Sequence, residues 1–346
     1  MKNFLNLKDI PVRDLKKILV DAKKRKRLRK RLDNLEVDKG APLRGKLLIQ
    51  MFEKSSLRTR LSFYLAIKQL GGSTLTLRPD ELHLSKGGES IQDTAKILSN
   101  FGNAFMLRTA NDEKLEEFKK YLSIPIINGL SPSCHPTQIL SDIFTIEEIK
   151  KKQISSLNIT WIGDSNNVLN SLIAASIKFS FKLSIGCPAE YKPSKKMIKY
   201  IRSNNNKIRI LHDPKKAAKG ADVIFSDKVI SMNDKVNKLK KLKKFKNFKI
   251  NRKLMNFAKK DCIFLHCLPR GKEVEENIFL SKQSKVWQQA LNRVHVQKSI
   301  LLHCLPRGKE VDEKVFSSKQ SKVWQQALNR IYVQKSILLY CLGKLR

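Results

Sequence analysis

The sequence predicts an α/β chain: two doubly wound parallel-sheet domains linked by long helices. Short apolar runs of strand length alternate with longer stretches of helical spacing along most of the chain. The polar clusters fall where the strand-like runs end, which is where open parallel sheets gather ligand-bearing residues. At 346 residues the chain is long enough for two domains of ordinary size, each with its own core.

The elements follow in order. Residues 1–31 are read as a first surface helix; they lack the apolar core of a signal peptide, and Asp9, Asp14 and Asp21 interrupt the basic face that a mitochondrial presequence needs. The first unit then alternates strand 47–52, helix to 70, strand 73–77, helix 89–101, strand 104–107, helix 113–121 and strand 124–127. A long helix, 136–152, follows. The second unit opens on the buried strand 159–162, whose Gly163-Asp164-Ser165-Asn166-Asn167 turn leads into a helix through Lys178. Strands 182–185, 207–211, 222–225 and 262–265 complete it.

No apolar stretch approaches the roughly 18 residues that span a bilayer. The six cysteines, Cys134, Cys187, Cys262, Cys267, Cys304 and Cys341, never form C-x-x-C, so neither a disulfide framework nor a zinc knuckle is expected. The pairs His266-Cys267 and His303-Cys304 do not read as metal ligands, because neighbours on a strand point to opposite faces. A reducing cytoplasm fits. The net charge of +39, concentrated at 23–31 and 235–249, raises nucleic acid as a partner. No aromatic interleaving or zinc-finger spacing accompanies it, so specific nucleic-acid recognition is not expected, only loose attraction of polyanions and of a doubly charged phosphate substrate.

The most informative segment is Met51-Phe52-Glu53-Lys54-Ser55-Ser56-Leu57-Arg58-Thr59-Arg60, where a strand hands over to a helix. Unpaired backbone N–H groups and the positive end of the helix dipole point at whatever sits there, and Arg58 adds a planar fork suited to phosphate oxygens. A plain N-cap followed by surface arginines would use the same residues. His135-Pro136 likewise reads either as part of a site or as a helix start with proline in its first turn.

The C-terminus carries a tandem repeat: residues 265–301 recur at 302–338 and the copies differ at six positions, among them Glu275/Asp312, Leu280/Ser317 and His295/Tyr332. Two copies at one end of an α/β chain do not make a solenoid, and the second is read as a duplicated tail.

Several segments together resemble the aspartate/ornithine carbamoyltransferase family, on its ornithine side. They are Phe52 to Arg60, Met106-Leu107-Arg108-Thr109, His135-Pro136-Thr137-Gln138, Gly163 to Asn167, Asp227 with Ser231-Met232, and His266-Cys267-Leu268-Pro269-Arg270. The resemblance implies transfer of the carbamoyl group of carbamoyl phosphate to the side-chain amine of L-ornithine, with no cofactor and no metal. It implies a carbamoyl-phosphate-binding domain at 1–134, an interdomain helix at 135–152 and an ornithine-binding domain at 153–281. A C-terminal helix at 282–301 returns to the first domain, ahead of the tail 302–346. On the family pattern Ser56, Leu57, Arg58, Thr59 and Arg293 hold the phosphate, and Arg108, His135 and Gln138 surround the carbamoyl group. Asn167, Asp227, Ser231 and Met232 hold the amino-acid end, with Cys267 and Leu268 near the reacting amine. The expected catalytic set is Arg108, His135 and Cys267.

The chain departs from the pattern at Leu57, Ser165, Val229 and Asn233. The repeat supplies two candidate pairs, Cys267 with Arg293 and Cys304 with Arg330. The first is favoured because Cys267 follows an apolar strand, whereas Cys304 follows the end of a helix. A homotrimer is implied, with Lys86 as a contact lent between subunits. Two other functions stay open: a carbamoyltransferase for putrescine or N-acetylornithine, and a catalytically dead basic binding protein.

Overall fold

The structure is a computed structural model and describes residues 2–78, 88–204, 207–230 and 237–305. After α1 (Val12–Leu28), the first half alternates β1 (Leu47–Phe52), α2 (Leu57–Gln69), β2 (Ser73–Leu77), α3 (Ile91–Phe101), β3 (Ala104–Arg108), α4 (Asp112–Tyr121) and β4 (Ile126–Leu130). The second half follows α5 (Pro136–Lys150) with β5 (Asn158–Ile162), α6 (Asn167–Phe179), β6 (Lys182–Gly186), α7 (Lys195–Asn204), β7 (Ile208–Leu211), α8 (Pro214–Ala218) and β8 (Val223–Ser226). It ends with α9 (Lys238–Phe245), α10 (Arg252–Met255), β9 (Ile263–His266), α11 (Glu276–Phe279) and α12 (Val286–Cys304).

Two parallel sheets result, ordered β2-β1-β3-β4 and β7-β6-β5-β8-β9. The innermost strands are covered on both faces and read as near-continuous apolar runs, Leu-Leu-Ile-Gln-Met-Phe in β1 and Val-Ile-Phe-Ser in β8. In each sheet the strand order reverses once, between β1 and β3 and between β5 and β8. Ligands of open parallel sheets bind outside such reversals, at the carboxyl ends of the flanking strands. Those four ends lead into Glu53 to Thr59, Arg108, Gly163 to Asn167, and Asp227.

The linking helices are unlike surface helices. Every residue of α5 from Pro136 to Ile146 is buried, because the helix packs against α12, α6, β4 and α1. The buried face of α12 packs on α5, α2 and α1, and three of its polar members find partners on α1, on α5 and in the segment between α1 and β1. Lys298 Nζ bonds Asp38 Oδ2 at 2.9 Å, Ser299 Oγ bonds Asp21 Oδ2 at 2.7 Å, and Asn292 Nδ2 bonds Thr145 Oγ1 at 3.0 Å.

The structure differs from expectation at the N-terminus and in the lysine-rich run, among other places. The N-terminal helix is shorter than 1–31 and is no surface appendage: Leu15, Ile18, Leu19 and Ala22 lie in the main core. The lysine-rich run after 237 folds as α9, and Lys241 is buried with its Nζ 2.6 Å from Asp164 Oδ2. An apparently solvated charge run thus tucks one lysine against the turn after β5. Among the described residues no helix is long and apolar enough to cross a membrane.

Candidate active site

The turn after β1 delivers Ser56 as the N-cap of α2, its side chain making no capping hydrogen bond. The hydroxyl and the first amides of the helix are therefore available to an anion. Leu57 is the first helical residue and its side chain is exposed, so it contributes backbone rather than side chain. Thr59 is buried and its Oγ1 accepts from Arg293 Nη2 at 2.9 Å. Arg58 reaches across to the second half, donating from Nη2 to the Leu268 carbonyl at 2.6 Å. A guanidinium has five donors, so most of that fork stays uncommitted.

Three guanidiniums converge here. Burial and mutual repulsion act on two of them: Arg108 is held below its ordinary value by burial and by Arg58. Arg293 is pushed down to about 10 by burial, with Arg58 and Arg108 adding to the effect. The Nε atoms of Arg108 and Arg293 are buried and have no partner among the described residues. His135, the N-cap of α5, faces all three arginines; burial first, then Arg293, Arg108 and Arg58, hold it well below the usual imidazole range, so it is neutral. Its backbone N–H is anchored on Ser171 Oγ at 2.8 Å, and its Nδ1 is buried without a partner among the described residues. A cluster of like charges with unused donors is poised for a dianion.

The second half supplies a different chemistry. Asp227, just past β8, is held above the usual carboxylate range by burial, and Asn166 Nδ2 donates to its Oδ2 at 2.8 Å. Asn167 turns the other way, its Nδ2 donating to the Ser131 carbonyl of the first half at 2.8 Å. Gly163 has φ +149°, which side chains rarely adopt, but Ser165 beside it has no positive φ. Serine therefore sits there without backbone strain, and its Oγ bonds the Tyr191 carbonyl at 2.7 Å.

His266 ends β9 and organises the loop after it. Its Nδ1 accepts from Leu268 N–H at 2.9 Å, which puts the ring proton on Nε2, facing Glu273 Oε1 at 2.9 Å. The Leu268-Pro269 peptide is cis. The Cys267 thiol is pushed well up by burial and then by Asp227 and Asp142, so it is no thiolate.

Arg58, Gln138, Cys267, Leu268 and Arg293 line one small cavity together with His266 and Gln289. Cys304 instead ends α12, packed in the main core. Ser231, Met232, Lys86 and Arg330 lie outside the described residues. Asn166, Asp142, Gln289, Glu273 and the Leu268 carbonyl take part in the site without having been singled out from sequence. Asn166 sat inside the Gly163 to Asn167 turn, and Asp142 had a signal in its spacing of one helical turn after Gln138.

Two sheet reversals, one loaded with guanidiniums and one with a buried carboxyl and amides, together form a candidate site with one side suited to an anion. Residues 2–148 match the family description "Aspartate/ornithine carbamoyltransferase, carbamoyl-P binding domain". Residues 155–302, and again 298–341, match "Aspartate/ornithine carbamoyltransferase, Asp/Orn binding domain". The chain belongs to the aspartate/ornithine carbamoyltransferase family. It is 39% identical over 301 residues to an ornithine carbamoyltransferase of Agrobacterium fabrum, covering 86% of this chain and 96% of the relative. With one from Brucella suis the identity is 40% over 302 residues, 87% and 94% of the two chains. Among solved structures, ornithine carbamoyltransferase from Pyrococcus furiosus superposes with a TM-score of 0.81 at 37% identity, over 89% of this chain and 98% of that one. The anabolic enzyme from Campylobacter jejuni gives 0.78 at 38% identity, over 88% and 99%.

Proposed function

We propose that this protein transfers the carbamoyl group of carbamoyl phosphate to the δ-amine of L-ornithine, releasing L-citrulline and phosphate. The observation that carries the reading is the convergence of Arg58, Arg108 and Arg293 on neutral His135. Such an array has little use without a dianion, and it suits a reaction in which negative charge develops and then leaves as phosphate.

Ser56, the amide of Leu57, Arg58, Thr59 and Arg293 take the phosphate. Arg108 and His135 donate to the carbamoyl oxygen, where charge builds as the amine attacks and the tetrahedral species forms. Gln138 meets the carbamoyl nitrogen. On the ornithine side Asn167 and Asp227 act with Ser231 and Met232 on the α-amino and α-carboxyl groups. Cys267, as a neutral thiol, and Leu268 orient the side-chain amine. That amine must shed a proton to attack, since an ammonium has no lone pair and its free pKa is about 10.4 by analogy with lysine. The rate should therefore climb with pH well above neutrality. No covalent enzyme intermediate is needed, which fits a thiol kept protonated.

The first repeat copy supplies Cys267 and Arg293, and the second is a tandem appendage outside the chemistry. The family resemblance further supports a homotrimeric enzyme of the cytoplasm serving arginine biosynthesis. The deciding experiment is citrulline formation by the purified protein with carbamoyl phosphate and L-ornithine, beside putrescine, N-acetylornithine and aspartate as acceptors. Turnover confined to ornithine is expected. Turnover with another acceptor alone would overturn the roles of Asp227 and Cys267, and no turnover with any would overturn the function.

A further inference from the structure

Asp142 is buried on α5, and its Oδ1 accepts two side-chain amide bonds, from Gln138 Nε2 at 2.8 Å and from Gln289 Nε2 at 2.8 Å. Its Oδ2 is buried and has no partner among the described residues. Oδ1 accepts whether the carboxyl is ionised or carries its proton on Oδ2, so both glutamines turn their NH2 ends toward it. Gln289 is fixed a second time, because its Oε1 accepts the backbone N–H of His266 at 3.1 Å and a backbone nitrogen only donates. Among the described residues Gln138 has no such second tie. With its nitrogen committed to Asp142, its Oε1 is the end left for the cavity that it lines with Arg58, Cys267 and Arg293.

A carbamoyl group needs both kinds of partner, donors for its oxygen and an acceptor for its NH2. The arginines of this site can only donate. An acceptor amide oxygen held in place is therefore the complement that they cannot provide. Freed from Asp142, the Gln138 amide can rotate about its last torsion, and half of its orientations would set NH2 against NH2.

We infer that Asp142 is a positioning residue for carbamoyl transfer: it holds Gln138 with its oxygen toward the carbamoyl nitrogen and, through Gln289, holds His266 where the Cys267-Leu268 loop begins. The inference rests on the proposed reaction. One carboxyl on α5 thereby ties α12 and the end of β9 to the carbamoyl side of the site, so both substrates meet groups set by the same atom.

The test compares Asp142→Leu and Asp142→Asn in the full chain, with kcat and both KM values measured and folding followed by circular dichroism. Asparagine keeps an acceptor oxygen in place, whereas leucine matches the size and removes it. Leucine is expected to lower kcat by about 10- to 100-fold, the range for a buried amide left unpaired, with asparagine recovering activity to within about fivefold of wild type. A folded leucine variant with wild-type kinetics overturns the inference, as do leucine and asparagine variants impaired alike. If the leucine variant does not fold, Asp142→Ala is measured in wild-type and Gln138→Ala backgrounds. Losses well short of additive support the role through Gln138, and additive losses overturn it. A wild-type protein that makes no citrulline instead refutes the proposed reaction, which keeps the two failures apart.

Discussion

Arg293 Nη2 donates a 2.9 Å hydrogen bond to Thr59 Oγ1, joining residues 234 apart in the sequence. The bond fastens the returning helix α12 to the first turn of α2, where the anion is to bind. Arg293 lies between the Gln289 and Asn292 contacts to α5 and the Lys298 and Ser299 contacts to Asp38 and Asp21, so its guanidinium cannot swing away. A buried charge held among other charges is costly unless a ligand of opposite sign arrives, and that cost is what makes the site selective for one.

Replacing Arg293 should accordingly strike the phosphate half. Arg293→Gln is expected to lower kcat/KM for carbamoyl phosphate by about 10²- to 10³-fold, the effect of removing one preorganised donor. Arg293→Lys should recover only part of it, because an ammonium has no planar fork. Arg330→Gln, in the second repeat copy, should stay within about twofold of wild type, as expected if the first copy supplies the site. Citrulline formation against carbamoyl phosphate concentration reads all three, and a crippled Arg330→Gln would reassign the site to the second repeat copy.

The sheets were legible because their strands are short apolar runs bounded by turn residues, and Ser56 to Thr59 stood out as a candidate anion site because those donors are consecutive in the chain. The ties that complete the site were not. Arg58 to the Leu268 carbonyl and Gln289 to Asp142 connect residues 210 and 147 apart, and no periodicity encodes such distances. Residues 238–245 mislead for another reason: lysine counts as exposed by default, yet Lys241 finds Asp164 and is buried. The strand after α4 was expected at 124–127 but runs Ile126–Leu130, as Asn128 is buried with its amide on the Leu5 carbonyl. A polar residue and a glycine inside a strand look like its end until their partners are known.

A chain ending after Leu305 should keep its activity. The stretches 2–148 and 155–302 match the two family domains, and α12 is held by contacts from Gln289 to Ser299. Turnover within about twofold of full length is expected, with a melting temperature shift of no more than about 2 °C, the size of a change below 1 kcal/mol in a chain this long. Kinetics and thermal unfolding of the truncated protein check it; an inactive or unstable product would mean that the second copy does part of the work.

Glu273 should matter to ornithine more than to carbamoyl phosphate. Its Oε1 accepts from the His266 ring at 2.9 Å and from Gly271 N–H at 2.6 Å, bracing the loop that carries Cys267 and Leu268. Glu273→Ala removes both bonds, and the ornithine KM is expected to rise about 10- to 100-fold, as for hydrogen bonds to a charged group. Glu273→Gln retains an acceptor and should lie near wild type. Equal changes in both substrates' KM values would show that the loop braces the whole site rather than its amine side.

Asp142 should make the protein less stable as pH rises through neutrality. Burial, opposed by the Gln289 and Gln138 bonds and by Arg293 but reinforced by Asp227, lifts its carboxyl from 3.8 to about 7. A carboxyl raised on folding binds its proton more tightly in the native state, so its stabilising contribution is complete below about pH 4 and is lost as pH passes 7. The full swing is on the order of 4 kcal/mol. Asp142→Asn cannot titrate, so its melting temperature should fall less than that of the wild type between pH 5 and 8. Thermal unfolding at fixed ionic strength, where surface pairs are screened alike, isolates the effect. Parallel pH curves for the two proteins would mean that the carboxyl is already ionised at pH 5, with Arg293 outweighing its burial.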